Sequence, residues 1–239
     1  MISTEELNLL NIKLQTTQQN IRREYLQHLF LAYFYQQKEA DGCFFKGGTA
    51  LRLAFNSPRF SENLDFSLKD YNPKTVENLI IKTLQEIEYE GIKTKILEAK
   101  ETSGGYLSRL DFSFNDEKIE ILLQFSKRKP TDVGEVVIIV GNYLPPFPVS
   151  ILERSRLTTE KMEALLTRTK PRDFYDLYFL IRSNLISFGQ KKLLNEALVR
   201  LKESQIDFEL ELKQFLPKSH WGVIRDFKKS LEAEIVRFL

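Results

Sequence analysis

Side chains suited to binding phosphate and a metal ion gather first between Phe44 and Leu68, in the string FFKGGTALRLAFNSPRFSENLDFSL. Lys46-Gly47-Gly48-Thr49 joins a short apolar run to an apolar, helix-like segment, and Asp65 follows between Leu64 and Phe66. The glycines let the backbone turn tightly and bring its N–H groups close to an anion, while Thr49 can cap the following helix and supply a hydroxyl. Those features suit a phosphate. An acid set between large apolar neighbours on a short strand is costly to bury without a partner, and a divalent cation is a common one. Taken alone, a glycine pair is also an ordinary turn.

Two later stretches add charge. In Lys118-Ile119-Glu120-Ile121-Leu122-Leu123 the acid Glu120 is embedded among apolar residues much as Asp65 is, with Asp111 in Leu110-Asp111-Phe112 as an alternative. Glu120 also fits the solvent-facing position of an alternating strand, beside a nearby lysine. In Thr159–Arg168, Lys161 and Arg168 stand about two helical turns apart and so share a face, either an anion site or a solvated basic surface. Lys170-Pro171-Arg172-Asp173-Phe174-Tyr175-Asp176 then opens another helix, with Pro171 suited to its first turn. Asp173 and Asp176 fall on one side of it, where acids also complement the helix dipole.

In this order the strings resemble the AbiEii/AbiGii toxin family of minimal nucleotidyltransferases, the toxins of type IV toxin-antitoxin systems. The family's first motif has Gly-Gly or Gly-Ser, a short helix and an acid-x-acid pair, usually within a phrase like RFSEDLDF. Here Arg59–Phe66 reads RFSENLDF, so Asn63 stands where the first acid is expected. Lys161 and Arg168, with Ala164 and Leu165 between them, match Lys-x-x-apolar-apolar-x-x-Arg, and Asp173 and Asp176 match Asp-x-x-Asp. A lysine shortly before a proline is matched loosely by Lys127 or Lys129 before Pro130.

The resemblance implies a metal-dependent nucleotidyltransferase using Mg2+ or Mn2+. It would move a nucleoside monophosphate from a nucleoside triphosphate to RNA, notably the 3' end of transfer RNA, with an antitoxin protein as partner. It implies nucleotide binding by Lys46, Gly47, Gly48, Thr49, Ser61, Lys161 and Arg168, and metal binding by Asn63, Asp65 and Glu120. Catalysis would fall to Asp65, Glu120, Lys161, Asp173 and Asp176. Asn63 can offer a carbonyl oxygen but no charge, which weakens a metal site. The outcome is a slower enzyme, one leaning on Glu120 and Asp176, or a nucleotide-binding relative that acts through a protein or RNA partner without turnover. Retention of Asp65, Lys161, Arg168, Asp173 and Asp176 favours the enzyme. Lys127-Arg128-Lys129 and Lys191-Lys192 offer contacts to an RNA backbone or are simply solvated.

Elements must position these residues. With 239 residues and 42% hydrophobic content the chain can bury a substantial core. A net charge of +2 excludes a global basic field, so any polynucleotide contact is local. Cys43 stands alone, which excludes an internal disulfide, and His28 and His220 have no metal-ligand spacing. The start, Met1-Ile2-Ser3-Thr4-Glu5-Glu6, is not a basic and then apolar leader, and no apolar run approaches a membrane span. A cytoplasmic, soluble protein is expected.

Helices are predicted from Ser3 to about Gln19, from Ile21 to Gln37 and from Asn72-Pro73 to Gly91; strands over 92–97, 106–114, 118–125 and 136–140, with a hairpin signal at Asn115-Asp116. Pro145-Pro146-Phe147-Pro148 marks a boundary, and everything after it reads as helix, in segments 159–166, 171–181, 191–203, 208–215 and 221–238. The expected fold class is α+β: a nucleotidyltransferase-like small mixed sheet with flanking helices over 1–147, then a helical domain over 148–239.

Overall fold

The computed structural model describes residues 2–115, 117–127 and 133–239. Asp116, Arg128, Lys129 and Pro130 lie outside the described residues. The chain forms two compact units. One comprises residues up to Asn56 together with Phe60–Glu153, and the other comprises Ser57–Arg59 together with Arg154–Leu239.

The first unit is a seven-stranded mixed sheet with helices. Its helices are α1 (Thr4–Leu14), α2 (Gln18–Phe34), α3 (Gly47–Phe55) and α4 (Pro73–Tyr89). Its strands are β1 (Cys43–Lys46), β2 (Leu64–Leu68), β3 (Lys93–Thr102), β4 (Gly105–Phe114), β5 (Glu117–Lys127), β6 (Gly134–Ile139) and β7 (Phe147–Leu152). The spatial order is β3-β4-β5-β2-β1-β7-β6. β2 runs antiparallel to β1 and parallel to β5, while β1 runs parallel to β7.

Local chemistry sets most of these boundaries. Ser3 and Glu6 form a reciprocal capping box on α1, and Gln15 in the left-handed region (φ 51) ends that helix earlier than expected. The side chain of Asn72 caps α4 ahead of Pro73, and Val76, Leu79, Ile80, Thr83, Leu84 and Ile87 all point inward, as their spacing predicts. Phe34 of α2 packs on Phe66 of β2 and Phe125 of β5, whose rings stack 4.7 Å apart. Side chains alternate across a strand, so α2 covers the sheet face opposite to the one bearing Asp65 and Gln124.

The segment after the proline run departs from the helical expectation. Phe147–Leu152 forms β7, which pairs with β1 and β6 before the first helix of the second unit begins. Proline lacks a donor but is tolerated where its N–H would not be used, and Val149, Ile151 and Leu152 supply buried apolar residues.

The second unit is helical: α5 (Arg154–Arg168), α6 (Pro171–Arg182), α7 (Lys191–Glu203), α8 (Phe208–Leu212), α9 (Trp221–Arg225) and α10 (Phe227–Phe238). The predicted 221–238 helix is interrupted at Asp226 (φ −117, ψ 37). α6 is central, packing against α5, α8 and α10, with Phe174, Tyr175, Phe208 and Phe227 in its aromatic core.

Candidate functional site

β1 and α3 meet at the glycine pair. Lys46 is extended (φ −150, ψ −166) and occupies the N-cap position without a side-chain cap, and Gly47 turns the chain with φ +85. That left-handed conformation is accessible to glycine at little cost. A helix starting there directs the N–H groups of its first turn, Gly47 and Gly48 among them, away from the helix body. Thr49 does not cap α3. It lies inside the helix, fully buried, and its hydroxyl donates to the Asn63 carbonyl.

That bond is one of several that set the approach to Asp65. Gln27 of α2 donates to the Ser61 carbonyl at 3.0 Å, and Arg23 lies 3.6 Å from the Glu62 carboxylate. Arg52 of α3 is held by Glu24 of α2 and lies over the Phe60 ring, 3.8 Å from its centroid. Asp65 is then half-buried on β2, in register with Lys46 on β1 and Gln124 on β5. A Cβ built on Gly47 would collide with the Asp65 carboxylate. The glycine is what lets that acid lie against the β1–α3 turn.

Glu120 is not brought to that place. The β2–β5 register puts Gln124 beside Asp65. Glu120 shares the same sheet face but sits four residues back, roughly 13 Å along the strand. It is exposed, directly across from Asp111 on β4, with Arg109 at 4.0 Å. Asp111 is itself buried, and its Oδ1 accepts no hydrogen bond among the described residues. Among the described residues no group of three or more His, Cys, Asp or Glu side chains is placed to hold a metal ion. The oxygen-bearing side chains nearest in sequence and register to Asp65 are those of Asn63, Ser67 and Gln124, none of which carries a charge.

In the helical unit, the two predicted motifs pair with each other. Arg168 on α5 donates from Nε and a terminal nitrogen to the two oxygens of Asp173 on α6, at 2.8 and 2.7 Å. Asp173 also accepts from the Lys170 backbone N–H and so helps to start α6. Lys161 donates to Asp176 Oδ2 at 2.7 Å. The second partner of Asp176 is Arg59, a residue that motif reasoning left without a role. Its Nε and a terminal nitrogen donate to the two carboxylate oxygens at 2.7 and 3.0 Å. Burial by itself raises the Asp176 pKa, but the Arg59 and Lys161 charges outweigh it and hold the carboxyl at about 2, below its ordinary 3.8. At neutral pH it is an anion committed to its cations rather than a proton acceptor.

A mixed sheet with a glycine turn against an acid, followed by a helical unit, is a nucleotidyltransferase-like architecture. It is similar to MenT4, a nucleotidyltransferase toxin of Mycobacterium tuberculosis, with a TM-score of 0.68 at 15% identity over 98% of this chain and 89% of that one. It is similar also to JHP933 of Helicobacter pylori, with a TM-score of 0.66 at 21% identity over 93% of this chain and 92% of the other. The sequence matches the family described as nucleotidyl transferase AbiEii toxin, type IV toxin-antitoxin system, over residues 29–234. The chain belongs to that family. No curated protein matches its sequence. No described helix is long and apolar enough to cross a membrane.

Proposed function

We propose that this protein is a toxin that transfers a nucleoside monophosphate from a nucleoside triphosphate to RNA, with the 3' end of transfer RNA as acceptor, in the cytoplasm and opposed by an antitoxin. The observation that carries the reading is the placement of Asp65 against Gly47, at the turn that opens α3. The first-turn N–H groups of α3, with Lys46, bind the triphosphate, and Ser61 lies on the segment leading to Asp65. Lys161 neutralises phosphate charge, held in place by Asp176, while Asp173 fixes Arg168. Asp173 and Asp176 thus act by orienting cations. The acceptor hydroxyl gives up its proton to solvent and attacks the α-phosphorus; the new P–O bond forms as the bond from that phosphorus to the bridging oxygen of the β-phosphate breaks, and pyrophosphate leaves.

Asp65, with the amide oxygens of Asn63 and Gln124, would hold Mg2+ or Mn2+. One carboxylate completed by substrate phosphates is a common way to bind magnesium. Bound there, the ion would stabilise charge on the reacting phosphate oxygens. The β2–β5 register sets Gln124 rather than Glu120 beside Asp65, so Gln124 takes that place in the reading.

The amides at Asn63 and Gln124 also favour a second reading, a nucleotide-binding relative without turnover. One assay separates the two: purified native protein, Asn63→Asp and Asp65→Ala, each with every labelled nucleoside triphosphate, Mg2+ or Mn2+ and total transfer RNA. Transfer predicts label in RNA from the native chain, reduced at least about a hundredfold in Asp65→Ala and raised roughly tenfold in Asn63→Asp. Label only with Asn63→Asp would mean that the native chain binds without turnover. Label that persists in Asp65→Ala would overturn the site.

A further inference from the structure

Charge is divided unevenly along the chain. Residues 154–239 hold 17 lysines and arginines against 12 acids, whereas residues 1–153 hold 18 against 21, so a polyanion is drawn to the helical part and repelled by what precedes it. Within the helical unit several arginines are already committed to carboxylates: Arg59 to Asp176, Arg168 to Asp173, and both Arg182 and Arg237 to Glu234. Arg172 is different. It is half-buried at the start of α6 yet forms no ion pair among the described residues, and neither does Lys170 two residues before it.

Both cations line a recess of about 260 Å3, together with Pro171, Leu212, the half-buried Phe215 and a single acid, the exposed Glu211, which pairs with neither of them. That volume is below the roughly 300–1,000 Å3 of pockets that enclose a whole small molecule, so the recess suits one part of a larger ligand. Cations beside an aromatic ring and apolar side chains match an unpaired nucleotide, whose base can stack on the ring while its phosphate meets the cations. Arg172 stands one helical turn before Asp176, their Cβ atoms about 5–6 Å apart, so the recess lies about a turn of α6 from the carboxylate that holds Lys161.

We infer that this recess binds an unpaired nucleotide of the acceptor RNA, with Phe215 stacking on the base and Arg172 and Lys170 meeting the backbone phosphate. The inference rests on the reading of RNA as acceptor, and adds where on the chain that RNA is held. A free nucleoside triphosphate shares the same chemistry, and the test separates the two sources.

Binding would be measured by fluorescence anisotropy of a labelled single-stranded RNA oligonucleotide over a range of salt concentrations, with its blunt duplex and total transfer RNA as competitors. Calorimetric titration with each nucleoside triphosphate and Mg2+ runs in parallel, on the native chain, Arg172→Gln, Phe215→Ala and Phe215→Tyr, with folding checked by circular dichroism. Arg172→Gln is expected to bind the oligonucleotide about tenfold less tightly, and its slope of log affinity against log salt should be smaller by about 0.7, the share of one phosphate contact on a single strand. Phe215→Ala should also lose about tenfold but keep the native slope, and Phe215→Tyr should stay within roughly threefold of native. Triphosphate affinity should remain within roughly threefold of native throughout. A residue that only supported the fold would not change the salt slope.

If the native chain binds neither the oligonucleotide nor transfer RNA, the reading of RNA as acceptor fails and takes the inference with it. If the native chain binds RNA and either Arg172→Gln or Phe215→Ala binds it equally well, the inference alone fails. A triphosphate affinity that falls as far as the RNA affinity would assign the recess to the triphosphate and overturn it, as would a blunt duplex that competes as well as the unlabelled single strand. Should Phe215→Ala not fold, Arg172→Gln decides: a reduced slope sustains the inference and a native slope overturns it.

Discussion

At Asp176 a carboxylate withdrawn from water is kept ionised by two cations that reach it from different parts of the chain. Its pKa of about 2 in the folded protein lies below the ordinary 3.8, so the ionised group contributes stability that is fully present above about pH 4 and is lost as pH falls toward 2. Asp176→Asn should cost about 3–5 kcal/mol at pH 7, because it removes the buried carboxylate that both Arg59 and Lys161 engage. Urea unfolding at pH 7 and below pH 4 checks both statements, since the gap between native and variant should shrink at the acid end.

The types of these residues were legible in the sequence but their pairing was only partly so. Helical spacing put Lys161 with Arg168 and Asp173 with Asp176, yet gave no sign that the cations and acids would bind each other. Arg59 lies 117 residues from Asp176, and nothing local connects the two. Glu120 stands out in the sequence because it resembles Asp65 in its immediate neighbours. Which residue stands beside Asp65 depends instead on strand register, which a one-residue slip would change and local sequence does not fix.

Among the elements, the β1–α3 turn carries the sharpest consequence. Gly47 has φ +85, where a side chain is strained, and a Cβ there would meet the Asp65 carboxylate. Gly47→Ala should therefore destabilise the fold by roughly 2 kcal/mol and displace the acid. Nucleotide transfer should fall much further than the loss of folded protein explains. Parallel denaturant titration and transfer assays check this, and a variant with reduced stability but native specific activity would show that Asp65 tolerates the shift.

The glycine pair, the Asn72 cap and the inward stripe of α4 were readable because each follows from short-range chemistry. β7 was not, since a run containing Pro145, Pro146 and Pro148 looks like a break; it is a strand because β1 and β6 accept it on either side. The interruption at Asp226 has no proline or glycine to announce it.

For the molecule as a whole, the chain order of the two units is not simple. The sheet unit gives up Ser57–Arg59 to the helical unit, so a cut after Glu153 would leave the helices without one of their buried charges. A fragment of residues 154–239 keeps Lys161 and Asp176 as a pair but loses the two hydrogen bonds that Arg59 donates to Asp176. Those bonds join charged groups out of water, and losing them should cost the helical unit roughly 2–4 kcal/mol. Hydrogen exchange of the α6 amides would measure this, because their slowest opening reports the stability of the unit that contains them. Protection in the fragment should fall below that in the full chain, and Arg59→Gln in the full chain should reproduce much of the drop. Equal protection in the fragment and the native chain would mean that the helical unit is complete without Arg59.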